Sequence, residues 1–466
     1  MQKERGQLDP LWRKAQVPDH FRVAVVGDII ITHPIYDQIR RTSPGLLDLL
    51  AGADLVVGNL EGSILDLDRF TGYPEAESGF GWLIASPEVG HDLKRMGFHL
   101  LSRANNHATD WGIEGMRMTD AILHASGMVT AGTGASLTAA RAPGYVEGRA
   151  ARTSLVSWTT TFERNTPAAD ALGAIRARPG ASTLGSTPVV LVNVEQFQAL
   201  RAIRDAQPSA SRPAIMLEFD ERMGFVTLFG QSYKKHPDAS CDHPVTVHYE
   251  IDQRDWQLIL KQVRQAKQTS DFTVAACHSH EPNNWTAAPP ALPMTLAREA
   301  IANGVDLVCG HGAHQLRGIE LIDGKPVFYS LGNFCFMSNS QAVVVRDEWE
   351  RRVWRLLPDP PSLDPETMTE AEFIEWTRAS GVFHEDLWFE SVVAVVEFEG
   401  EGRARRIELH PIELGNGGRD ALRGIPRLAD PARGSRILGR LAELCAAMGT
   451  RVSLDPGRNV GFIDFS

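Results

Sequence analysis

Six times along this chain a short, nearly continuous apolar run stops abruptly in residues able to ligate, protonate or hydrogen-bond. Val23–Val26 leads into Gly27-Asp28, Asp54–Val57 into Gly58-Asn59-Leu60-Glu61, and Phe98–Leu101 into Ser102-Arg103-Ala104-Asn105-Asn106-His107. Phe272–Ala276 leads into Cys277-His278-Ser279-His280-Glu281, Val305–Val308 into Cys309-Gly310-His311-Gly312-Ala313-His314, and Val327–Tyr329 into Ser330-Leu331-Gly332-Asn333-Phe334. Runs of this length and composition read as strands buried on both faces. Helical patterns lie between them, at Pro87–Met96, Gly112–Ser126, Gln253–Gln268 and Met294–Asn303. Strands alternating with helices predict an α/β layered core. Ligands of such sheets bind just outside the carboxyl ends of the strands. One site assembled from six strand ends is therefore the leading expectation.

The pattern also divides the chain. Residues 1–20 read as an N-terminal extension and 21–340 as the core, with about 150–245 as an inserted cap. That segment is rich in turns, such as Arg178-Pro179-Gly180-Ala181-Ser182, and poor in carboxylate and histidine clusters. Residues 341–466 read as a C-terminal insertion, a hairpin and a helix completing the core. The insertion covers about 347–389 and contains Pro358, Pro360 and Pro361. The hairpin pairs Ser391–Glu397 with Ala404–Leu409 around Glu399-Gly400-Glu401-Gly402, and the helix spans about Ala432–Met448. The two inserted segments suit a cleft for an extended or peptide-like substrate. Trp158, Trp285 and Trp349 are its candidate contacts, although aromatic rings are equally at home in a core.

Composition excludes several classes of function. A net charge of -11 with no long basic run argues against nucleic acid as a partner. The five cysteines, Cys241, Cys277, Cys309, Cys335 and Cys445, are odd in number and lack CxxC spacing, which fits a reduced, cytoplasmic setting. The N-terminal residues have no apolar signal-like core, and no run approaches the roughly 18 apolar residues of a membrane span.

The strand-end residues themselves point to metal chemistry. Two-metal hydrolytic sites combine hard oxygen ligands with imidazoles gathered from several strand ends, one ligand being able to bridge. Asp28, Glu61, Asn106, His278, His311 and His314 supply that set. Asn106 can ligate through its carbonyl while His107 faces the substrate and protonates a leaving group. Asp110, three residues on, is placed to orient His107. Asn105, Asn106 and Asp110 equally suit a turn before the helix that starts near Gly112.

The segments GDIIITH, VVGNLEGS, SRANNHATDWG, CHSHE and CGHGAHQLRGIELIDGKPVFYSLGNF resemble the motif series of the CapA family, named for poly-γ-glutamate capsule synthesis, a branch of the calcineurin-like metallophosphoesterases. The resemblance covers roughly residues 21 to 340. It implies a four-layer αββα sandwich of the metallophosphoesterase type with inserted cap segments. It also implies a divalent metal (Mn, Fe or Zn) held by Asp28, Glu61, Asn106, His278, His311 and His314. In that reading Glu61 bridges and His107 is the general acid, while the motif leaves open which of His278 and His280 ligates. Arg103, Asn105, His280, Glu281 and Arg317 are the candidate substrate contacts. The chain departs from the wider superfamily's Asp-x-His by carrying Ile30 at the third position, with His33 five residues after Asp28. Asn59-Leu60-Glu61 stands where an aspartate is usual.

Two enzymatic readings follow. One is metal-assisted hydrolysis of a phosphoester or an amide or peptide-like bond in a small-molecule or peptide substrate. The alternative is a metal- and cofactor-independent peptide epimerase, in which Asp28 and His311 (or His314) remove and return a Cα proton, as in soluble relatives from peptide natural-product pathways. A non-catalytic accessory role is the third reading. It leaves so many ionisable strand-end groups without a task.

Overall fold

The computed structural model describes residues 14–76, 81–208, 214–238, 245–288, 291–338, 341–350, 363–379, 383–416 and 420–465. Six strands carry the site: β1 (Phe21–Ile30), β2 (Leu55–Leu60), β3 (Leu100–Ser102), β4 (Phe272–His278), β5 (Leu307–His311) and β6 (Asn333–Phe336). β1, β2 and β3 run parallel at the heart of a ten-stranded sheet. The first half of β1 pairs antiparallel with Glu390–Phe398, and its last three residues pair in parallel with β6. A second, six-stranded sheet holds Arg152–Thr159, β4 and β5 side by side in parallel. The first five expected strands are β1 to β5; the sixth, expected at Val327–Tyr329, is Lys325–Phe328 beside β5 in the second sheet, and part of the polar segment after it, Asn333–Phe336, is itself a strand of the first.

The two sheets stack because their strands are apolar on both faces. Val23, Val25 and Val57 of the first sheet share one core with Phe272, Val274, Ala276 and Cys309 of the second. Phe272 anchors it, meeting Phe21 and Phe398 edge-on at centroid distances of 5.4 and 4.8 Å. The intervening residues Ala24, Val26 and Val56 face the other way. There they pack with Leu46, Leu50, Val89 and Leu123 of helices Pro44–Ala51, Glu88–Arg95 and Gly112–Ala125. Beyond the second sheet, helix Ala291–Ala302 packs on β5. Arg264 and Lys267 of helix Gln253–Thr269 bond to Asn303 and Asp306. The architecture is thus α/β, a four-layer αββα sandwich.

Two boundaries differ from the sequence reading. The inserted region does not begin near 150, because Arg152–Thr159 is an inner strand of the second sheet. Its apolar character is masked by Thr153, Ser154 and Ser157, which are buried nonetheless. Ser157 pairs with Ser102 at 2.7 Å and Ser154 with Ser270 at 2.8 Å, so the hydroxyls meet each other inside the core. The separate unit is Leu184–Gln257. It is a four-stranded sheet with two helices and a small core of Val192, Phe197, Val226 and Leu228.

The C-terminal hairpin, Glu390–Phe398 with Ala404–Glu413, lies beside β1 within the large sheet and does not close its rim. The last helix spans Pro431–Ala446, started by Asp430, whose carboxylate accepts from the backbone amides of Ala432 and Arg433. Pro358, Pro360, Pro361 and Cys241 lie outside the described residues. Cys277, Cys309, Cys335 and Cys445 are free and buried. Among the described residues no helix is long and apolar enough to cross a membrane.

Candidate metal centre

The site begins with a break in β1. Pairing with β2 shifts register between Val25 and Asp28. At Gly27 the backbone runs so close to the next segment that a Cβ would lie 1.9 Å from the Gly332 carbonyl oxygen. Only glycine fits there, and the irregularity re-aims the residue that follows. Asp28 is fully buried; its Oδ1 accepts from Asn59 Nδ2 at 2.8 Å and its Oδ2 from the Gly312 amide at 2.9 Å. Gly312, at φ 97°, opens a turn in which a Cβ would strike the His278 and His280 rings. His314 follows in the left-handed region at φ 56°, a conformation that costs a non-glycine residue about 1–3 kcal/mol. That turn brings the His314 ring back over the strand ends.

Glu61 stands at the middle. It is 1% exposed, and neither carboxylate oxygen has a hydrogen-bond partner. Around its Oε1 stand His314 Nε2 at 3.5 Å, His278 Nε2 at 3.7 Å and His107 Nε2 at 3.9 Å. Burial, and then the negative charges of Asp28 and Asp110, push its carboxyl well above the ordinary range. His278 is driven well down first by burial and then by His280 and the other imidazoles, and His280 by burial and then by His314, His107 and Arg317. His311 and His314 are lowered by burial against the pull of Asp28. Neutral imidazoles around a starved carboxylate are the ligand state a divalent cation requires.

The donors fall into two groups that share Glu61. Asp28, Glu61 and His278 form one, and Glu61, His280 and His314 the other. Nitrogen Nε2 of His278 is 2.8 Å from Asn106 Oδ1 and 3.0 Å from His280 Nε2. Separations near 3 Å are what two donors about 2.0–2.1 Å from one ion have. A mixed oxygen and imidazole set with orphaned buried oxygens therefore fits a divalent metal. Five of the six expected ligands, Asp28, Glu61, Asn106, His278 and His314, are brought together, and His280 joins them. His311 sits apart from both groups: its Nε2 faces the Val26 carbonyl at 3.3 Å, and its Nδ1 is buried without a partner. His33 is exposed and bonded to Thr32, away from the cluster.

His107 has the geometry of an oriented acid. Its Nδ1 lies 2.7 Å from Asp110 Oδ2, its amide donates to Asn105 Oδ1, and its ring lines the cavity above the centre. Several expected substrate contacts are committed to the scaffold instead. Arg103 is fully buried and donates to the carbonyls of Leu60 and Gly62, clamping the turn that carries Glu61. Asn105 donates to Leu60 and Asn59 on the same turn. Glu281 accepts from Thr160 and Thr161, and Arg317 donates to the carbonyls of Glu281 and Asn283. Of the five, only His280 lines the cavity. Asn59 and Asn333, which sequence reading left without roles, orient Asp28 and His314; Asn333 Oδ1 lies 3.0 Å from His314 Nδ1. The only signal for either was its place at a strand end.

The centre opens on a cavity of about 140 Å³. His107, His280 and His314 meet it, whereas Asp28 and His311 are not among its described lining residues. Both oxygens of Asp28 are already bonded and His311 faces Val26, whereas His314, the other partner named for a Cα proton transfer, lines the cavity and lies 3.6 Å from Asp28. Trp158 and Trp349 are core residues at 0% and 3% exposure. Trp285 is 58% exposed and stacks on Phe383 of the cavity wall at 5.7 Å.

Comparison with known proteins adds family information. A family model described as bacterial capsule synthesis protein PGA_cap matches residues 22–338. A protein of Sinorhizobium fredii, named only as uncharacterized, is 38% identical over 448 residues, covering 94% of this chain and 92% of its own. The PGA biosynthesis protein CapA of Bacillus subtilis is 22% identical over 288 residues, 62% of this chain and 54% of that protein. Among solved structures, a phosphatase from Mycoplasma pneumoniae aligns with a TM-score of 0.38 at 10% identity, over 86% of this chain and 94% of that one. A likeness that weak carries nothing about chemistry.

Proposed function

Starting from a chain that belongs to the bacterial capsule synthesis protein PGA_cap family, we propose that it is a divalent-metal-dependent hydrolase of a phosphoester or an amide-type bond. The observation that carries this reading is Glu61, a buried carboxylate with two unpartnered oxygens shared by two groups of donors. Leaving such a group buried and unpaired costs several kcal/mol of desolvation, which a bound cation offsets. Asp28, Glu61, Asn106, His278, His280 and His314 would hold the metal, with Mn, Fe and Zn all compatible with this oxygen and nitrogen set. A cation held there supplies positive charge that polarises the scissile phosphoryl or acyl oxygen.

The chain's own residues do the rest. Asn59 and Gly312 fix both oxygens of Asp28, and Asn333 fixes the ring of His314. His107, held through Nδ1 by Asp110, presents Nε2 to the cavity and donates the proton to the leaving group. Asp110 stabilises the charged imidazole before that transfer, as a buried carboxylate does for an acid–base histidine. Elemental analysis of the purified protein tests the proposal, with wild type beside Glu61→Gln and His314→Ala. One or two equivalents of metal in wild type, lost in both variants together with hydrolysis of aryl phosphate or anilide probes, is the expected result. A folded wild type that neither retains nor takes up Mn, Fe or Zn would sink it.

A further inference from the structure

The cavity above the centre says more about what is hydrolysed. We infer, on the hydrolytic reading above, that the bond broken here is carried by a compact, uncharged, ring-sized group, selected by the wall of Trp82, Phe336, Phe373, Ile374, Phe383 and Phe389. The size agrees first. A volume of about 140 Å³ is close to that of apolar cavities that take up one benzene ring.

The wall is also preorganised. Phe336 meets Phe383 and Phe389 edge-on at 5.9 and 5.4 Å, and Phe383 meets Trp388 at 5.0 Å. In a separate cluster with Ile374, Phe373 stacks on Trp349 at 4.2 Å. Rings locked this way lose little freedom when a guest arrives. The wall also reaches the chemistry, since the His314 ring lies 6.0 Å from Phe336 and 6.3 Å from Phe383.

Charge narrows the class further. Among the described lining residues the fixed charges are Glu348 and Arg378, and the Arg378 guanidinium is engaged by Glu375 through Nε at 2.9 Å. A polyanion with a carboxylate at each unit would bring its charges against an aromatic wall. Burying them among rings, without a cation for each, is costly. A neutral aryl or branched aliphatic group gains from the same wall.

Benzyl alcohol is the probe, because it offers the ring with a neutral hydroxyl and no charge to anchor it to a metal. Ligand-observed NMR and calorimetry on the full chain should show binding to wild type. Ile374→Trp and Thr377→Trp, which fill the cavity from helix Glu370–Ala379, should each weaken it by about tenfold or more. Two sites of substitution guard against one variant failing to fold. No binding to wild type, binding unchanged in the folded variants, or displacement by glutarate as effective as by benzyl alcohol would each overturn the inference. Phenylphosphonate tests the hydrolytic reading separately. If its affinity ignores Glu61→Gln while benzyl alcohol still competes with it, that reading fails and the ring site stands.

Discussion

Two buried carboxylates in this sandwich have opposite surroundings. Asp306, just before β5, is fully buried and satisfied: Lys267 Nζ lies 2.6 Å from Oδ2, Lys325 Nζ 3.3 Å from Oδ1, and the Thr273 amide donates at 2.9 Å. Glu61, just after β2, is equally buried and has no hydrogen-bond partner on either oxygen. Asp306 ties helix Gln253–Thr269 to β4 and β5 and needs nothing further. Glu61 is held apart by scaffold contacts that fix its turn yet leave its oxygens bare. Burial alone does not separate structure from function; the balance of partners does.

Substitution should separate the two carboxylates. Asp306→Asn should have the largest effect, a loss of about 3–5 kcal/mol in denaturant unfolding, because Lys267 is left buried beside a neutral amide. Activity per folded molecule should survive. A loss near zero would mean that the pair is dispensable.

Metal should act only on the other carboxylate. Mn²⁺ at a hundredfold excess over its dissociation constant should stabilise metal-free wild type by about 2.7 kcal/mol, read as a rise in Tm. Neither Glu61→Gln nor His314→Ala should show the rise. An equal rise in all three would move the metal elsewhere.

The third test has the opposite sign to the first. Without metal, Glu61→Gln should stabilise the protein by about 2 kcal/mol, since it removes a buried charge with no partner. The gain should depend on pH. The Glu61 carboxyl titrates higher folded than unfolded, so the stability of wild type is greatest below the ordinary glutamate range. It is lost as pH rises through the raised value, whereas glutamine does not titrate. A gain that is flat with pH would refute this.

The smallest effect concerns positioning. Asp110→Asn should lower kcat by about tenfold, with metal content unchanged, because its carboxylate holds His107 Nδ1 and it belongs to neither donor group. Loss of metal in this variant would show that Asp110 supports the centre itself.

Much of this contrast was legible in the sequence. The six apolar runs ending in Asp, Glu, Asn and His predicted an α/β layered core and gathered Asp28, Glu61, Asn106, His278 and His314 at one place, because side-chain period and strand direction are local properties; the four-layer sandwich was implied by the family resemblance alone. The illegible parts depend on the partner surface. Arg103 and Arg317 looked like anion binders, yet their guanidiniums serve carbonyls of turns far along the chain. His311 looked equivalent to His314, but it ends β5 while His314 rides the turn beyond it. Arg152–Thr159 hid because its serines are satisfied by hydroxyls of other strands, Ser157 by Ser102 across the two sheets and Ser154 by Thr273 of the neighbouring strand. No window of sequence contains that pairing.

The break at Gly27 has a kinetic side. The Asp28 amide is bonded to the Gly332 carbonyl, and its carboxylate to Gly312, 284 residues along the chain. Loops of that length close slowly, and folds rich in such contacts reach the native state late. β1 can pair with β2 early, and Asp28 can meet Asn59 there, but the partners of its amide and of its second carboxylate oxygen arrive only with residues 312 to 333. The desolvation that starves Glu61 therefore arrives in the closing act of folding. A chain halted before that point has every N-terminal ligand and no competent centre, so metal uptake would report completed folding.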